Sequence, residues 1–197
     1  MHRCDIIATA VAAAVGFSAS YACAQEFTAK LSGFQELGAL NNQTGAILSN
    51  GTGTAELDLD QKGQTVTYKL TYSNVGTTAP GTGTVTQAHI HFGKSRDSGG
   101  ILVFFCTNIT PSNGPAGTPA CPTTGGSGTV RGTWTPASIV AIAGQNVAVG
   151  NFKALVDSLL SNTAYANIHT TAFMAGEIRG QVHRVEHDHD HEHDHGN

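Results

Sequence analysis

Charged side chains are scarce in this 197-residue chain, at 12% of its residues. Its 10 Lys and Arg residues are spread along the sequence and form no basic stripe, which a nucleic-acid-binding surface would need. The formal net charge of −4 arises mainly at the C-terminus, where a cluster of acidic residues follows position 185. Nucleic acid is therefore excluded as a partner, and the nearly neutral body predicts no charge-driven partner.

Long apolar runs are also rare. The only one, residues 6–17 (IIATAVAAAVGF), is too short to span a bilayer comfortably. It is followed by small residues, with Ala22 and Ala24 in the A-x-A arrangement that signal peptidase reads. The pattern predicts a signal peptide over residues 1–24 and export to the periplasm or beyond, with no membrane span.

Cysteine is used sparingly, at 4 residues. Cys4 and Cys23 lie in the predicted signal peptide, and lipidation at Cys23 is an alternative to cleavage after Ala24. Cys106 and Cys121 most simply form one disulfide in an oxidising compartment. That bond would close a loop rich in Pro, Gly and Asn, which is worth roughly 3 kcal/mol in the chain-entropy model. A free pair or a thiolate metal site is less suited to an exported chain.

Several enzyme signatures are missing. The sequence contains no G-x-S-x-G motif, and its glycine clusters lack the lysine of a phosphate-binding loop. No repeat of 20 to 50 residues is visible, so a solenoid or propeller is not expected. These absences favour a protein that is not an enzyme.

Alternation of apolar and polar residues is the strongest pattern present. Residues 51–60 (GTGTAELDLD) and 64–73 (QTVTYKLTYS) predict two half-buried antiparallel strands joined as a hairpin. Residues 101–106 (ILVFFC) are apolar throughout and predict a strand buried on both faces. Residues 128–135 and 176–184 predict further strands.

One segment, residues 151–162, has helical periodicity instead. Residues 135–147 fit either a strand or a turn of helix. The predicted fold of residues 25–184 is therefore all-β, an antiparallel β-sandwich or closed barrel with one short amphipathic helix. The apolar helix positions, at i, i+3, i+4 and i+7, are Phe152, Leu155, Val156 and Leu159.

Two histidines lie one residue apart in QAHIHFG, residues 87–93. Ile90 between them would face the core, which sends His89 and His91 to the opposite, solvated side of the strand. Side chains at i and i+2 of a strand are about 7 Å apart, so both imidazoles could bind one metal.

Two further predicted strands have polar faces of the same kind. YANIHT carries His169, and GEIRGQ carries Glu177 and Arg179. If these faces converge, His169 would join His89 and His91 in a three-nitrogen site suited to Zn²⁺ or Cu²⁺. Glu177 would then be a fourth ligand or orient one of the rings. The alternative is an ordinary solvated strand face, with Glu177 and Arg179 forming a structural ion pair.

The C-terminal segment, residues 185–197, alternates histidine with acidic residues. Nothing in it can be buried, so it should be disordered without a ligand. Imidazole and carboxylate groups predict capture of Zn²⁺, Cu²⁺ or Ni²⁺, weakening as the pH falls through about 6.5. A solvating acidic tail is the alternative. The tail ligands would be His187, His189, His191, His193 and His195.

The motifs FTAKLSGFQE, GTGTAELDLD, TVTYKLTYSNV, AHIHFG, ILVFFC, FKALVDSLL, YANIHT and GEIRGQV occur in this order. The series resembles the CHRD domain, named from the extracellular developmental protein chordin and widespread in exported bacterial proteins. The resemblance covers roughly residues 26–183, with Tyr165-Ala166 in place of the usual tyrosine-valine. It implies an extracellular β-sandwich module. Chordin's modules bind growth factors of the bone-morphogenetic class, a role that does not transfer to this chain.

The H-x-H strand is also similar to the copper-binding strand of Cu/Zn superoxide dismutase, another exported β-sandwich with a disulfide. Three hypotheses follow. The first is an exported, non-enzymatic binding module, with an unknown protein partner, whose tail captures a divalent transition metal. The second is a dismutase-like metalloenzyme with its redox metal on His89, His91 and His169. The third is a structural or matrix protein that mediates protein contacts.

Overall fold

The structure is a computed structural model that describes residues 25–37 and 45–186. The predicted signal peptide and the five tail histidines lie outside the described residues. The strands are β1 (Gln25–Ser32), β2 (Thr52–Asp60), β3 (Thr65–Ser73), β4 (Val85–Phe92), β5 (Gly100–Thr107), β6 (Gly128–Trp134), β7 (Ala164–Thr170), β8 (Ile178–Gln181) and β9 (His183–Arg184).

The described strands form one antiparallel sheet in the order β5-β4-β7-β8-β1-β2-β3-β6, with β9 beside β1. The predicted hairpin is β2–β3. Leu57 lies opposite Tyr68 and Leu59 opposite Val66, and all four are buried. The intervening acidic and threonine side chains point outward, as alternation in an antiparallel sheet requires.

The two ends of this sheet meet, so that it nearly closes into a barrel. The indole Nε1–H of Trp134, on β6, donates to the Phe104 carbonyl of β5 at 2.7 Å. The Tyr68 hydroxyl donates to the neighbouring Phe105 carbonyl at 3.1 Å, and its ring stacks on Trp134 with centroids 4.4 Å apart. These contacts occupy backbone acceptors that an open edge strand would leave exposed. The predicted all-β class with one helix is confirmed.

The helix α1 runs over Phe152–Leu160 and buries Phe152, Leu155 and Leu159 against the sheet, as its periodicity predicts. The ambiguous residues 135–147 are neither a strand nor an α-helix. They contain two short 3₁₀ turns, Pro136–Ser138 and Ala143–Gln145. No helix within the described ranges is long and apolar enough to cross a membrane.

The predicted disulfide between Cys106 and Cys121 is present. It joins the end of β5 to the start of the segment that leads into β6. The Asn108 side chain fixes the same loop, because its amide donates to the carbonyls of Val85 and Cys121 while its oxygen accepts from the Cys121 N–H. A loop without regular structure is thereby held against the barrel.

Candidate metal centre

The three histidines that the sequence groups as possible ligands lie together. β4 pairs with β7 so that Gln87 is opposite His169 and His89 is opposite Asn167. Directly opposed residues share a face of the sheet, so His169 lies on the same face as His89 and His91. One ligand nitrogen from each imidazole lies within 4.8 Å of the others. We call these three residues the histidine cluster.

The expectation that this face is solvated is wrong. His89 is fully buried at 0% exposure, and His91 and His169 are 9% and 7% exposed. Two loops, residues 93–99 and 171–177, contact the cluster through hydrogen bonds to the imidazoles. The alternation in β4 specifies two faces correctly, but the second face is covered by loops instead of water.

Irregular pairing surrounds the two histidines of β4. The register between β4 and β5 shifts between Ala88 and His89, and again between Ile90 and His91. Such bulges change the direction of side chains and are frequent beside functional sites. On the β5 side, the Phe104 ring meets His89 edge to face with centroids 4.4 Å apart. The cluster therefore has an apolar wall as well as polar loops.

The hydrogen bonds of the rings fix their tautomers. His91 Nδ1 lies 2.9 Å from the Gly99 carbonyl, and His169 Nδ1 lies 2.9 Å from the Met174 carbonyl. A carbonyl only accepts, so both Nδ1 atoms carry the proton and both Nε2 atoms are unprotonated acceptors. His89 Nδ1 then donates to His169 Nε2 at 3.2 Å, and a metal bound to His169 would replace that hydrogen bond.

This arrangement leaves two acceptor atoms without a partner. The Nε2 atoms of His89 and His91 are buried and make no hydrogen bond among the described residues. Buried polar atoms are nearly always paired, so two unpaired imidazole lone pairs in one cluster require an explanation. A bound cation would explain them, because imidazole binds metals through the lone pair of an unprotonated ring nitrogen.

Burial also keeps the rings uncharged. It lowers the pKa of His91 to about 4, with the charges of His169 and Arg179 acting in the same direction and the Gly99 hydrogen bond opposing them. Burial likewise lowers the pKa of His89 well below its ordinary value, and that of His169 to a lesser degree. At neutral pH the cluster is therefore in the deprotonated form that binds metal.

Two further side chains, Tyr165 and Arg179, hold His91 in place. The Tyr165 ring stacks on His91 with centroids 4.7 Å apart and planes within 2° of parallel. Its hydroxyl accepts the Gly99 N–H, while the Gly99 carbonyl accepts from His91. Sequence reasoning missed Tyr165, although it lies four residues before His169 on the same face of β7.

Arg179 completes this stack from β8. Its guanidinium carbon lies 3.4 Å from the Tyr165 ring centroid, and Nη2 donates to the carbonyls of Lys94 and Asp97. The residue is 2% exposed. Arg179 therefore fastens the loop whose Gly99 carbonyl orients His91, and it brings a positive charge behind Tyr165.

Glu177 has a different role from the two predicted for it. Its carboxylate accepts hydrogen bonds from the Gly76 N–H, the Ser49 hydroxyl and the Thr170 hydroxyl. It is not paired with Arg179 and is not in the cluster, which contains no carboxylate or cysteine among the described residues. Glu177, just before β8, ties the end of the 171–177 loop to β7 and to the segments that contain Ser49 and Gly76.

The donor set is thus three neutral imidazoles in a nearly closed space, which suits Zn²⁺, copper or Ni²⁺ better than a hard cation such as Ca²⁺ or Mg²⁺.

Comparison with known families gives a match over most of the chain. The CHRD domain model matches residues 27–182. No curated protein matches the chain significantly.

Proposed function

The chain belongs to the CHRD domain family, and we propose that it is an exported binding module that holds a transition-metal ion on His89, His91 and His169. The proposal is carried by one observation, the pair of buried, unpartnered Nε2 atoms in a cluster of three neutral imidazoles. The disulfide and the family are both consistent with export.

Binding is favoured over catalysis by the enclosure of the cluster. The three imidazoles are at most 9% exposed, and the Gly99 and Met174 loops lie against them. A redox enzyme of the superoxide-dismutase type needs a coordination position that its substrate can reach. We therefore expect copper-loaded protein to give superoxide dismutation no faster than free copper in buffer. Activity clearly above that blank would favour the enzyme hypothesis.

The C-terminal tail is a second metal-binding segment in this proposal. Its alternation of imidazoles and carboxylates supports capture of Zn²⁺, Cu²⁺ or Ni²⁺. The tail and the cluster should differ in pH response. Burial lowers the pKa of the cluster histidines, whereas a solvated imidazole takes a proton near pH 6.5. The tail should therefore release metal first as the pH falls.

Full-length protein with the five tail histidines replaced by Asn isolates the cluster. Dialysis against micromolar Zn²⁺ should leave a single ion per chain, measured by mass spectrometry of the metal. The same protein with His91→Phe keeps a ring against Tyr165 but loses a ligand, and it should retain no stoichiometric metal. Absence of metal from the parent protein after dialysis against Zn²⁺ and, separately, against Cu⁺ under anaerobic conditions would refute the proposed centre.

A further inference from the structure

The charge around the histidine cluster discriminates between metal ions. All three donors are neutral, and no carboxylate belongs to the cluster among the described residues. The Glu177 carboxylate is occupied by hydrogen bonds from Gly76, Ser49 and Thr170, and that of Glu36 accepts from the Asn167 amide. A divalent ion would bring two uncompensated charges into a buried space, while a monovalent ion would bring one.

Arg179 increases the cost of a divalent ion relative to a monovalent one. Its guanidinium carbon lies 3.4 Å from the Tyr165 ring centroid, which is 4.7 Å from the His91 centroid, so the two end groups are at most about 8 Å apart. At an effective dielectric constant of about 20, a unit positive charge at that distance disfavours one additional positive charge on the bound metal. The equilibrium between the two metal charges shifts by roughly thirtyfold toward the lower one. Glu36 and Asp97, which also act on Arg179 electrostatically, reduce this effect. We expect about a tenfold net bias against the higher metal charge.

The number of available ligands favours the same ion. Zn²⁺ on three protein ligands keeps a fourth position, usually for water, and the cluster is nearly closed to solvent. Cu⁺ accepts three nitrogen donors without a fourth ligand. Of the chain's 2 methionines, Met174 is the one outside the predicted signal peptide, and its carbonyl anchors His169. Its side chain is 80% exposed, so the thioether faces solvent and the centre has three nitrogen donors.

We propose that the centre is a Cu⁺ site, and that Arg179, stacked on Tyr165 behind His91, is the positioning residue that biases it toward the lower metal charge. This inference rests on the metal-binding function proposed above. Arg179 acts on the metal indirectly. It acts through the Tyr165 ring, through the loop carbonyls of Lys94 and Asp97, and through its charge.

The metal preference is tested with full-length protein in which the five tail histidines are Asn. Cu⁺ affinity is measured anaerobically by competition with bicinchoninate, and Zn²⁺ affinity by competition with a chromogenic chelator. Cu⁺ should bind about a hundredfold more tightly than Zn²⁺, or better. Zn²⁺ binding as tight as Cu⁺ binding overturns the copper assignment while leaving the proposed centre intact. Failure to bind either ion overturns both.

The role of Arg179 is tested by the Cu²⁺/Cu⁺ potential of Arg179→Gln and Arg179→Lys. The Gln variant loses the charge and should shift the equilibrium toward Cu²⁺ about tenfold, a fall of about 59 mV. The Lys variant keeps the charge and should stay near the parent potential. Equal shifts of the potential in both variants would overturn the proposal that the charge of Arg179 biases the metal, and would leave Arg179 only a role in positioning the loop. Glu36→Gln provides an independent measurement, because removing the negative charge should raise the potential, and a fall would contradict the proposal.

Discussion

The ring of Tyr165 lies flat against the ring of His91, with centroids 4.7 Å apart and planes within 2° of parallel. The same two residues meet again at Gly99, which donates its N–H to the Tyr165 hydroxyl and accepts the His91 Nδ1 proton at its carbonyl. His91 is therefore held by a ring face and by a hydrogen bond, both acting before any ligand arrives. Such supports orient the atom that binds the metal.

Separating the two supports gives a first prediction. Tyr165→Phe keeps the stacked ring and removes only the hydroxyl acceptor, so the free energy of unfolding should fall by about 1 kcal/mol with metal affinity nearly unchanged. Tyr165→Leu removes the stack and should weaken metal binding about tenfold or more. Denaturant titration and metal competition measure the two effects. If the Phe variant loses as much affinity as the Leu variant, the stack is not what orients His91.

The buried imidazoles should make metal-free protein sensitive to mild acid. Unfolding exposes His91, which then takes a proton near pH 6.5, whereas the folded protein holds it neutral until about pH 4. As the pH falls through this window, the unfolded chain binds a proton that the folded protein does not. Within this window the free energy of unfolding should therefore drop by about 1.4 kcal/mol per pH unit because of His91. Above about pH 6.5 the contribution of this residue to stability should be fully present.

His91→Phe is the matched variant for this prediction, because it preserves a ring against Tyr165 and removes the titrating group. Urea unfolding of chelator-treated protein at several pH values should give a shallower acid slope for the variant. Identical slopes in parent and variant would contradict the account of His91 as a neutral, buried group.

Glu177 should be important for stability and not for metal. Its fully buried carboxylate accepts from Gly76, Ser49 and Thr170, so Glu177→Ala leaves buried donors unpaired and should cost about 3 kcal/mol or more. Glu56→Ala is the control, since Glu56 forms an exposed ion pair with Lys69 whose loss should cost at most about 1 kcal/mol. Both variants should bind metal like the parent under conditions where they are folded. Selective loss of metal in the Glu177 variant would place that carboxylate at the centre.

Much of the fold could be predicted because its signals are local. The alternation of Leu57 and Leu59 with acidic residues specifies β2 and its buried face, and the spacing of Leu155 and Leu159 specifies the buried side of α1. The register that places Gln87 opposite His169 is not local, since it depends on pairing across most of the domain. Sequence reasoning could therefore group the three histidines only as a conditional hypothesis.

The burial of the cluster could not be read from the strands, because period-two alternation shows that a strand has a second face but not what covers it. Two loops cover this one, and they contribute backbone carbonyls at Gly99 and Met174. Every residue has a carbonyl, so these partners leave no side-chain signal. Tyr165 did leave a signal, through its alternation with Asn167 and His169 in YANIHT.

X-ray absorption spectroscopy of copper-loaded protein whose five tail histidines are replaced by Asn would observe the ligands of the proposed centre directly. The spectrum should show a single copper site with three imidazole ligands, and the imidazole scattering should fall when His89, His91 or His169 is replaced by Ala. A copper coordinated mainly by carboxylate or water oxygens, or a spectrum unchanged by those three substitutions, would show that the buried histidine cluster is not the metal centre.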